Sequence, residues 1–393
     1  MKRRDFIKAS AALTLGFMSP LRLSAATQRD PRLVVLILRG GMDGLAAVPP
    51  IGDPTYKSAR GTLALATPGD AGGAIDLNGF FGLHPAFEHV ADMYGKGEAL
   101  TIQAIAPPYM KRSHFDAQDV LETGLTSPTG TSSGWLYRAL RGVDDARSFD
   151  QVAYAIGTSV PRMLRGDQPV GSWAPDKLPD PDADTFERLM ALYDEDVVLG
   201  PKLQTAINTD AMMGNTTKHM RTNNLATAAK AAARFLIKPE GPRVAVLESS
   251  GWDTHSSQGT ASGKLARKFK ALDNTLGDFK EQMGSAWKDT CIVVVTEFGR
   301  TVEVNGTGGS DHGVGGATML LGGSIKGGRV IADWPGLSPD QLYKGRDLKP
   351  TLDMRSLFAG VLIDHMGVDR HFVDEVVFPN HREKLSGLIK LVS

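Results

Sequence analysis

The sequence has one cysteine, few aromatic residues and no excess of charge, and each scarcity excludes a class of protein. A single cysteine excludes a disulfide within the chain and a metal cluster built from thiolates. Basic and acidic residues number 44 each among 393, so the charge balance predicts no nucleic-acid partner. After the N-terminus, no apolar run approaches the ~18–20 residues of a membrane span. The composition is that of a globular protein with one large α/β domain or two average domains.

Residues 1–26 have the features of an export signal. A basic region with Arg3 and Arg4 precedes a modestly apolar stretch, and Ser24-Ala25-Ala26 supplies small residues at which a signal peptidase cuts. The arginine pair resembles the bacterial twin-arginine signal, whose export route carries folded proteins. We therefore expect a periplasmic mature chain of residues 27–393, delivered by the twin-arginine export machinery and without a stable membrane span after cleavage. The alternative is a short basic amphipathic helix that belongs to the fold.

Short apolar runs rich in β-branched residues predict a buried, mainly parallel sheet. Helical stretches lie between these runs, which favours a doubly wound α/β fold. The runs that predict strands are Leu33–Leu38, Leu100–Ile105, Val152–Ile156, Val244–Leu247, Cys291–Val295 and Ala317–Leu321. The stretches that predict helices are Pro85–Tyr94, Phe115–Thr123, Thr185–Tyr193, Asn224–Ile237, Gly263–Met283 and Asp353–Met366. Few strand signals occur between about residues 160 and 240, where we expect a helical insertion.

Polar side chains follow four of the predicted strands. The carboxyl ends of parallel strands share one edge of the sheet, where ligands bind, so we expect these side chains to converge. Carboxylate oxygens and imidazole nitrogens brought together suit a divalent metal ion, or a pair of ions that clamps an in-line displacement. The candidate ligands are Asp43, Asp253, His255, Glu297, Asp311 and His312.

Several of these residues also have a simpler interpretation. Asp43 in a glycine-rich segment is typical of a turn, and Asp253-x-His255 is compatible with a hydrogen-bonded surface pair. Glu297 directly follows a buried strand, so its carboxylate must be solvated, paired or bound to a ligand. Ser113 begins a Ser-x-x-Asp pattern that predicts a helix cap, a role that can coexist with anion binding at the same helix end.

A second catalytic pattern is present in the sequence but lacks its structural context. Gly130-Thr131-Ser132-Ser133-Gly134 fits the G-x-S-x-G pattern of a nucleophilic serine. That pattern requires a preceding strand, and the residues before Gly130 do not predict one. A Ser-His-Asp esterase is therefore the weakest of the functions that we consider.

Taken together and in order, six short segments resemble a family of exported bacterial proteins. The family is known as domain of unknown function 1501 and is related in fold to alkaline phosphatases and sulfatases. The segments are the twin-arginine signal, Leu-Arg-Gly-Gly-Met-Asp-Gly (38–44), Ser-His-Phe-Asp-Ala-Gln (113–118), Gly-Trp-Asp-Thr-His (251–255), Thr-Glu-Phe-Gly-Arg-Thr (296–301) and Asp-His-Gly (311–313). The resemblance covers nearly the whole mature chain and implies an alkaline-phosphatase-like, three-layer α/β/α domain.

The resemblance also implies roles for particular residues. The metal-binding Asp after the first strand corresponds to Asp43, and the nucleophile at a helix N-terminus corresponds to Ser113. The remaining metal ligands correspond to Asp253, His255, Glu297 and His312. The chain departs from phosphatases in carrying Asp253-x-His255 where Asp and His usually stand four apart, and it has no sulfatase C-x-P-x-R motif.

These observations predict a metal-dependent hydrolase of a small anionic ester or of an anionic envelope polymer. Zinc or manganese is the expected metal, with calcium or magnesium as alternatives. Ser113 or an activated water would attack the ester, and Arg112 or Arg300 would pair with the ester oxygens. The main alternative is a non-catalytic binding or envelope-assembly protein that keeps the fold and has lost part of the site.

Overall fold

A nine-stranded sheet forms the centre of the molecule in the computed structural model, which describes residues 29–174 and 224–379, His381 and short stretches between residues 188 and 206. A separate hairpin pairs β2 with β3. The strands are β1 (Arg32–Leu38), β2 (Ile75–Asp76), β3 (Gly82–Leu83), β4 (Ala99–Ala106), β5 (Ala153–Ile156), β6 (Gly171–Trp173), β7 (Val244–Ser249), β8 (Thr290–Val295), β9 (Gly316–Leu321), β10 (Arg329–Ile331) and β11 (Leu352–Asp353). All six predicted strands are present.

The helices lie mostly between the strands, as the sequence predicted. They are α1 (Gly44–Ala47), α2 (Tyr56–Arg60), α3 (Glu88–Gly95), α4 (His114–Thr123), α5 (Trp135–Leu140), α6 (Phe149–Val152), α7 (Leu225–Leu236), α8 (Lys264–Met283), α9 (Met354–Asp364) and α10 (Arg370–Phe372). Short 3-10 turns cover Gly61–Leu63, Arg162–Leu164 and Gly284–Asp289, and a π-helical turn covers Val373–Val377. No helix among the described residues is long and apolar enough to cross a membrane.

The sheet is mainly parallel, which confirms the predicted fold class. Its strand order is β10-β4-β9-β8-β1-β7-β5-β6, and β11 pairs with β4. Among the described strands of this sheet, β9 alone runs antiparallel to its neighbours, β4 and β8. The other pairings are parallel, so β1, β4, β7 and β8 end at the same edge.

Alternate residues of the central strand β1 belong to two different hydrophobic cores. Val34, Leu36 and Leu38 pack with side chains of α3, α7 and α8 on one face of the sheet. Leu33, Val35 and Ile37 pack with side chains of α5 and α9 on the other face. Because side chains of a strand point alternately to opposite faces, a continuous apolar run is what a sheet covered on both sides requires. The molecule therefore has the three layers α/β/α.

The predicted insertion falls partly outside the described residues. At one end of the range, Gly171–Trp173 forms β6 and extends the main sheet beside β5. At the other end, Leu225–Leu236 forms α7 and packs on that sheet. These two elements belong to the α/β layers, and most of residues 175–223, with the greater part of the predicted helix Thr185–Tyr193, lies outside the described residues.

Candidate metal centre

The loops after β1, β7 and β8 meet closely at the common edge of the sheet. Gly40 has a φ of 122°, and a Cβ atom placed on it would lie 2.5 Å from the backbone nitrogen of Asp253. Its own N–H donates to Oε1 of Glu297 at 2.8 Å. The Thr296 hydroxyl donates to the Leu38 carbonyl at 2.7 Å, which joins the ends of β8 and β1. Glycine at position 40 therefore allows the approach of three loops that carry candidate site residues.

Three imidazoles and one carboxylate converge at this edge. The ligand atoms of His114, Asp253 and His312 all lie within 4.8 Å of one another. Nε2 of His312 is 3.0 Å from Nε2 of His114 and 2.9 Å from Nε2 of His255. The oxygens of Asp253 lie 3.0 Å from His255, 3.3 Å from His312 and 3.5 Å from His114. These four side chains come from three separate parts of the chain, and we call them the His3Asp cluster.

Each imidazole of the His3Asp cluster is hydrogen-bonded through its Nδ1 atom, on the side away from the cluster. His312 Nδ1 lies 3.1 Å from the carbonyl oxygen of Arg112, which can only accept, so Nδ1 of His312 carries the proton. His114 Nδ1 lies 2.8 Å from Oε1 of Glu297, and His255 Nδ1 lies 3.0 Å from Oδ1 of Asp311. Carboxylates bound to Nδ1 leave the Nε2 lone pair directed to a ligand, an arrangement common around metal-binding histidines.

The groups around Asp253 and Glu297 keep both carboxylates ionised. Burial by itself would raise the pKa of Asp253, but Arg300, whose Nη1 lies 2.6 Å from Oδ1, holds that pKa below its ordinary value. Burial likewise opposes ionisation of Glu297, yet hydrogen bonds from His114 and Gly40 lower its pKa. The hydrogen bond to Glu297 raises the pKa of His114, whereas burial lowers the pKa of His312. A neutral His312 therefore presents its Nε2 lone pair to the cluster.

The donor set fits a divalent metal ion. With Nδ1 protonated, the Nε2 lone pair of His312 faces Nε2 of His114 at 3.0 Å and Nε2 of His255 at 2.9 Å, and the Asp253 oxygens lie 3.0–3.5 Å from all three. Lone pairs at that spacing repel unless a proton or a metal ion lies between them. A tetrahedral zinc ion with nitrogen and oxygen ligands at about 2.0–2.1 Å sets neighbouring ligand atoms roughly 3.3 Å apart. The separations among His114, Asp253 and His312 are 3.0–3.5 Å, and His255 lies beside this group of three. The cluster is therefore a candidate metal centre.

The structure does not bring Asp43 into the His3Asp cluster. Its Oδ2 accepts from Arg60 Nη2 at 2.6 Å and from Gln258 Nε2 at 2.7 Å, while Oδ1 accepts from the backbone of Leu45 and Ala46 at the start of α1. Asp43 and Arg60 are both fully buried. These four hydrogen bonds account for the carboxylate as the partner of a buried guanidinium and as a helix cap.

Glu297 and Asp311, both candidate ligands in the sequence, lie behind the cluster. Their oxygens bond Nδ1 of His114 and His255, so they orient imidazoles. Glu297 also accepts from Gln118, and Asp311 accepts from Asn305 Nδ2 at 2.9 Å. Of the six candidate ligands, Asp253, His255 and His312 belong to the cluster. Glu297 and Asp311 contact its imidazoles from outside, and Asp43 lies apart from it.

The two guanidinium groups predicted to bind ester oxygens already have carboxylate partners. Arg112 Nε donates to Asp347, a fully buried carboxylate, at 2.8 Å. Arg300 is buried to 1% exposure and bonds Asp253 and Ser310. The contact of Arg112 with Asp347 therefore positions the Arg112 carbonyl against His312, and the contact of Arg300 with Asp253 positions that carboxylate within the cluster.

Ser113 caps the helix whose first residue enters the cluster. It has extended backbone geometry, and its Oγ accepts from the Asp116 N–H at 3.5 Å, which confirms the predicted cap of α4. The next residue is His114, which was not among the candidate ligands predicted from the sequence. A histidine beside a candidate nucleophile was the available signal, but its pairing with Glu297 depends on β8, 183 positions away.

The family comparison agrees with the resemblance drawn from the sequence. Residues 103–377 match the model of a family described as "Protein of unknown function (DUF1501)". The sequence matches no curated protein significantly.

Several solved structures are similar to the chain at low identity. They include the phosphonate monoester hydrolase of Agrobacterium radiobacter (13% identity, 86% of this chain and 74% of that one, TM-score 0.40). They also include the lipoteichoic acid synthase LtaP from Listeria monocytogenes (12% identity, 78% of this chain and 70% of that one, TM-score 0.38). A third is a protein in the alkaline phosphatase superfamily from Vibrio parahaemolyticus (12% identity, 78% of this chain and 63% of that one, TM-score 0.36). At that level of similarity, the substrates and activities of these proteins are not inferred for this chain.

Proposed function

We propose that this chain, which belongs to the DUF1501 family, is an exported metal-dependent hydrolase of phosphate or related anionic esters. The observation that carries the proposal is the His3Asp cluster, in which the Nε2 atoms of the three imidazoles lie 3.0–3.5 Å from the Asp253 oxygens. A helix cap or a surface ion pair does not need three imidazoles with their Nδ1 atoms bound from behind. That arrangement is common around metal-binding histidines.

Zinc is the metal that this donor set favours, with manganese as the second choice. Three imidazole nitrogens are borderline-soft donors, whereas calcium and magnesium prefer oxygen ligands. When bound, the ion supplies a Lewis acid that polarises the ester and lowers the pKa of a coordinated water or hydroxyl group. Asp253 would contribute a negative charge to the site, and Arg300 would keep that carboxylate ionised and in place.

The residues around the cluster suit attack on an anionic ester. Helix α4 begins at His114, and the N-terminus of a helix stabilises negative charge. Ser113 stands at that terminus. If its hydroxyl attacks, Oγ bonds to the phosphorus, the proton passes to solvent or a base, and the alcohol leaves; water then cleaves the serine ester. If water attacks directly, the same products form in one step.

Substitution of Ser113 separates these routes. With Ser113→Ala we expect loss of ester turnover by at least about 100-fold if the serine is the nucleophile, with bound metal unchanged and stability lower by about 0.5–2 kcal/mol through the lost cap. Turnover would be measured with phosphate monoesters, phosphate diesters, sulfate esters and phosphonate esters, with added Zn²⁺ or Mn²⁺. Ser113→Asp, which restores a cap without a hydroxyl, is the matched control for folding.

The same measurements decide between catalysis and binding. Turnover retained by Ser113→Ala assigns the attack to water. No turnover by the unmodified, metal-loaded protein with any of these esters would contradict the hydrolase and favour a binding or envelope-assembly protein. The engagement of Arg112 and Arg300 with Asp347 and Asp253 is the observation on which that alternative rests.

The export part of the proposal rests on Arg3-Arg4 before the apolar stretch and the small residues up to Ala26. Replacing both arginines by lysine keeps the charge but removes the pair that the twin-arginine route recognises. We expect the precursor to stay in the cytoplasm, measured by fractionation and by the size of the uncleaved chain. Normal periplasmic accumulation of the doubly substituted protein would contradict twin-arginine export. Lys8→Arg, outside the pair, should be exported normally.

A further inference from the structure

A basic cavity opens beside the His3Asp cluster. It has a volume of about 450 Å³ and shares Asp253 and His255 with the cluster. Its other wall comes from the first two turns of α8, which contribute Lys264, Arg267 and Lys268. Residues three and four positions apart lie on the same face of a helix, so these three cations line one side of the cavity.

The cations of the cavity wall have no carboxylate partner among the described residues. Lys264 donates to the Ser256 carbonyl at 3.3 Å, and Lys268 donates to the Ser250 carbonyl at 3.0 Å and lies over the Trp252 ring. The Arg267 side chain is exposed and makes no hydrogen bond or ion pair with any of the described residues.

Other lysines of the same helix are paired differently. Lys270 lies 3.0 Å from Glu88, and Lys280 is bonded to Glu98. Asp253 is the only acidic residue that lines the cavity, and Arg300 and the imidazoles already surround it. The cavity wall therefore keeps an excess of positive charge that nothing in the described part of the chain neutralises.

We propose that this cavity binds a second anionic group of the substrate, and the proposal rests on the function proposed above. The substrate class is an ester with at least two anionic centres, one at the His3Asp cluster and one against the cations of α8. A bisphosphate, or two successive units of a phosphate- or sulfate-bearing polymer, has this chemistry. Arg267 is the specificity-determining residue because its planar guanidinium can form two parallel hydrogen bonds to a tetrahedral anion.

The test is a binding comparison that does not depend on turnover. Propane-1,3-bisphosphonate and propylphosphonate differ by one anionic group, and their C–P bonds resist hydrolysis. Titration calorimetry would measure both affinities for the mature protein, with and without added Zn²⁺. We expect the bisphosphonate to bind at least about tenfold more tightly, well above the roughly twofold advantage of having two equivalent ends.

Arg267→Gln should lower that ratio by about fivefold or more, which is the effect of losing one anion-binding cation. Lys270→Gln removes the same charge from the same helix outside the cavity and should leave the ratio unchanged. A ratio near two in the unmodified protein, or equal losses for both ligands in Arg267→Gln, would overturn the inference. Because binding is measured without catalysis, either result is distinguishable from failure of the hydrolase proposal, in which no ester is turned over.

Discussion

Asp253→Asn should abolish metal binding and, with it, any ester hydrolysis. The substitution removes the only carboxylate of the His3Asp cluster while nearly preserving its volume. Loss of a supporting residue behind a metal ligand weakens binding by about 10–100-fold, so the loss of a ligand should exceed that range. The measurements are metal analysis after desalting and turnover of the best ester. The thermal midpoint should also cease to rise on addition of Zn²⁺, because a bound ion stabilises the folded state by mass action.

Two further substitutions should give an intermediate loss of metal binding and no loss, respectively. Glu297→Gln changes a group that orients His114 and should weaken metal binding by about 10–100-fold without abolishing it. Asp76→Asn, on the exposed β2 strand, should change neither metal content nor turnover. Full metal content in Asp253→Asn, at the level of Asp76→Asn, would show that the cluster is not a metal centre.

The second large effect is expected at Asp43, and it is an effect on stability. Asp43→Asn leaves the guanidinium of Arg60 buried without its counter-charge, which typically costs about 3–5 kcal/mol of unfolding free energy. Because Asp43 lies outside the His3Asp cluster, the metal content of the folded protein should stay complete. Denaturant unfolding and metal analysis of the same sample would measure both. Loss of metal with little loss of stability would instead support the role that the family resemblance implied.

The pH dependence of this effect has a definite sign. Burial opposes ionisation of Asp43, but Arg60 and the hydrogen bond from Gln258 hold its folded-state pKa below the ordinary value of 3.8. The stabilisation is therefore present above the unfolded-state pKa and is lost as the pH falls through the folded-state pKa. The difference between the unmodified protein and Asp43→Asn should be constant near neutrality and shrink in acid. Adding Arg60→Met to Asp43→Asn should recover part of the loss, because it removes the buried charge that Asp43→Asn leaves unpaired.

The strand pattern of the sequence predicted the architecture because burial on both faces leaves a direct signature. A continuous run such as Leu33–Leu38 has few alternatives to a central strand. The direction of a strand leaves no such mark. Gly316–Leu321 is buried at every position, as β4 and β8 are, yet it runs antiparallel to both of them. Residues 296–315, which connect β8 to β9, are long enough for either strand direction, so no local pattern reveals it.

The site was predictable in its location more than in its roles. Residues after parallel strands had to meet at one edge, so Asp253, His255 and His312 were found. The roles depend on partners distant in the sequence. A carboxylate after β1 looks the same whether it binds a metal or pairs with a buried arginine, and only the fold brings Arg60 and Gln258 to Asp43. Glu297 likewise became a support of His114 because α4 places that imidazole against it.

The position of β1 at the centre of the sheet has a consequence for the order in which the molecule can assemble. Both partners of β1, the strands Val244–Ser249 and Thr290–Val295, are synthesised more than 200 residues later. At about 5–20 residues per second, β1 waits roughly 10–50 s on the ribosome as an apolar strand with two open edges. β4 waits as long, since its partners all follow β8. Such strands invite pairing with other chains. Apart from the pairing of β5 with β6, assembly of the main sheet is therefore a late event that depends on the C-terminal half. A nascent chain of this protein needs protection until that half emerges.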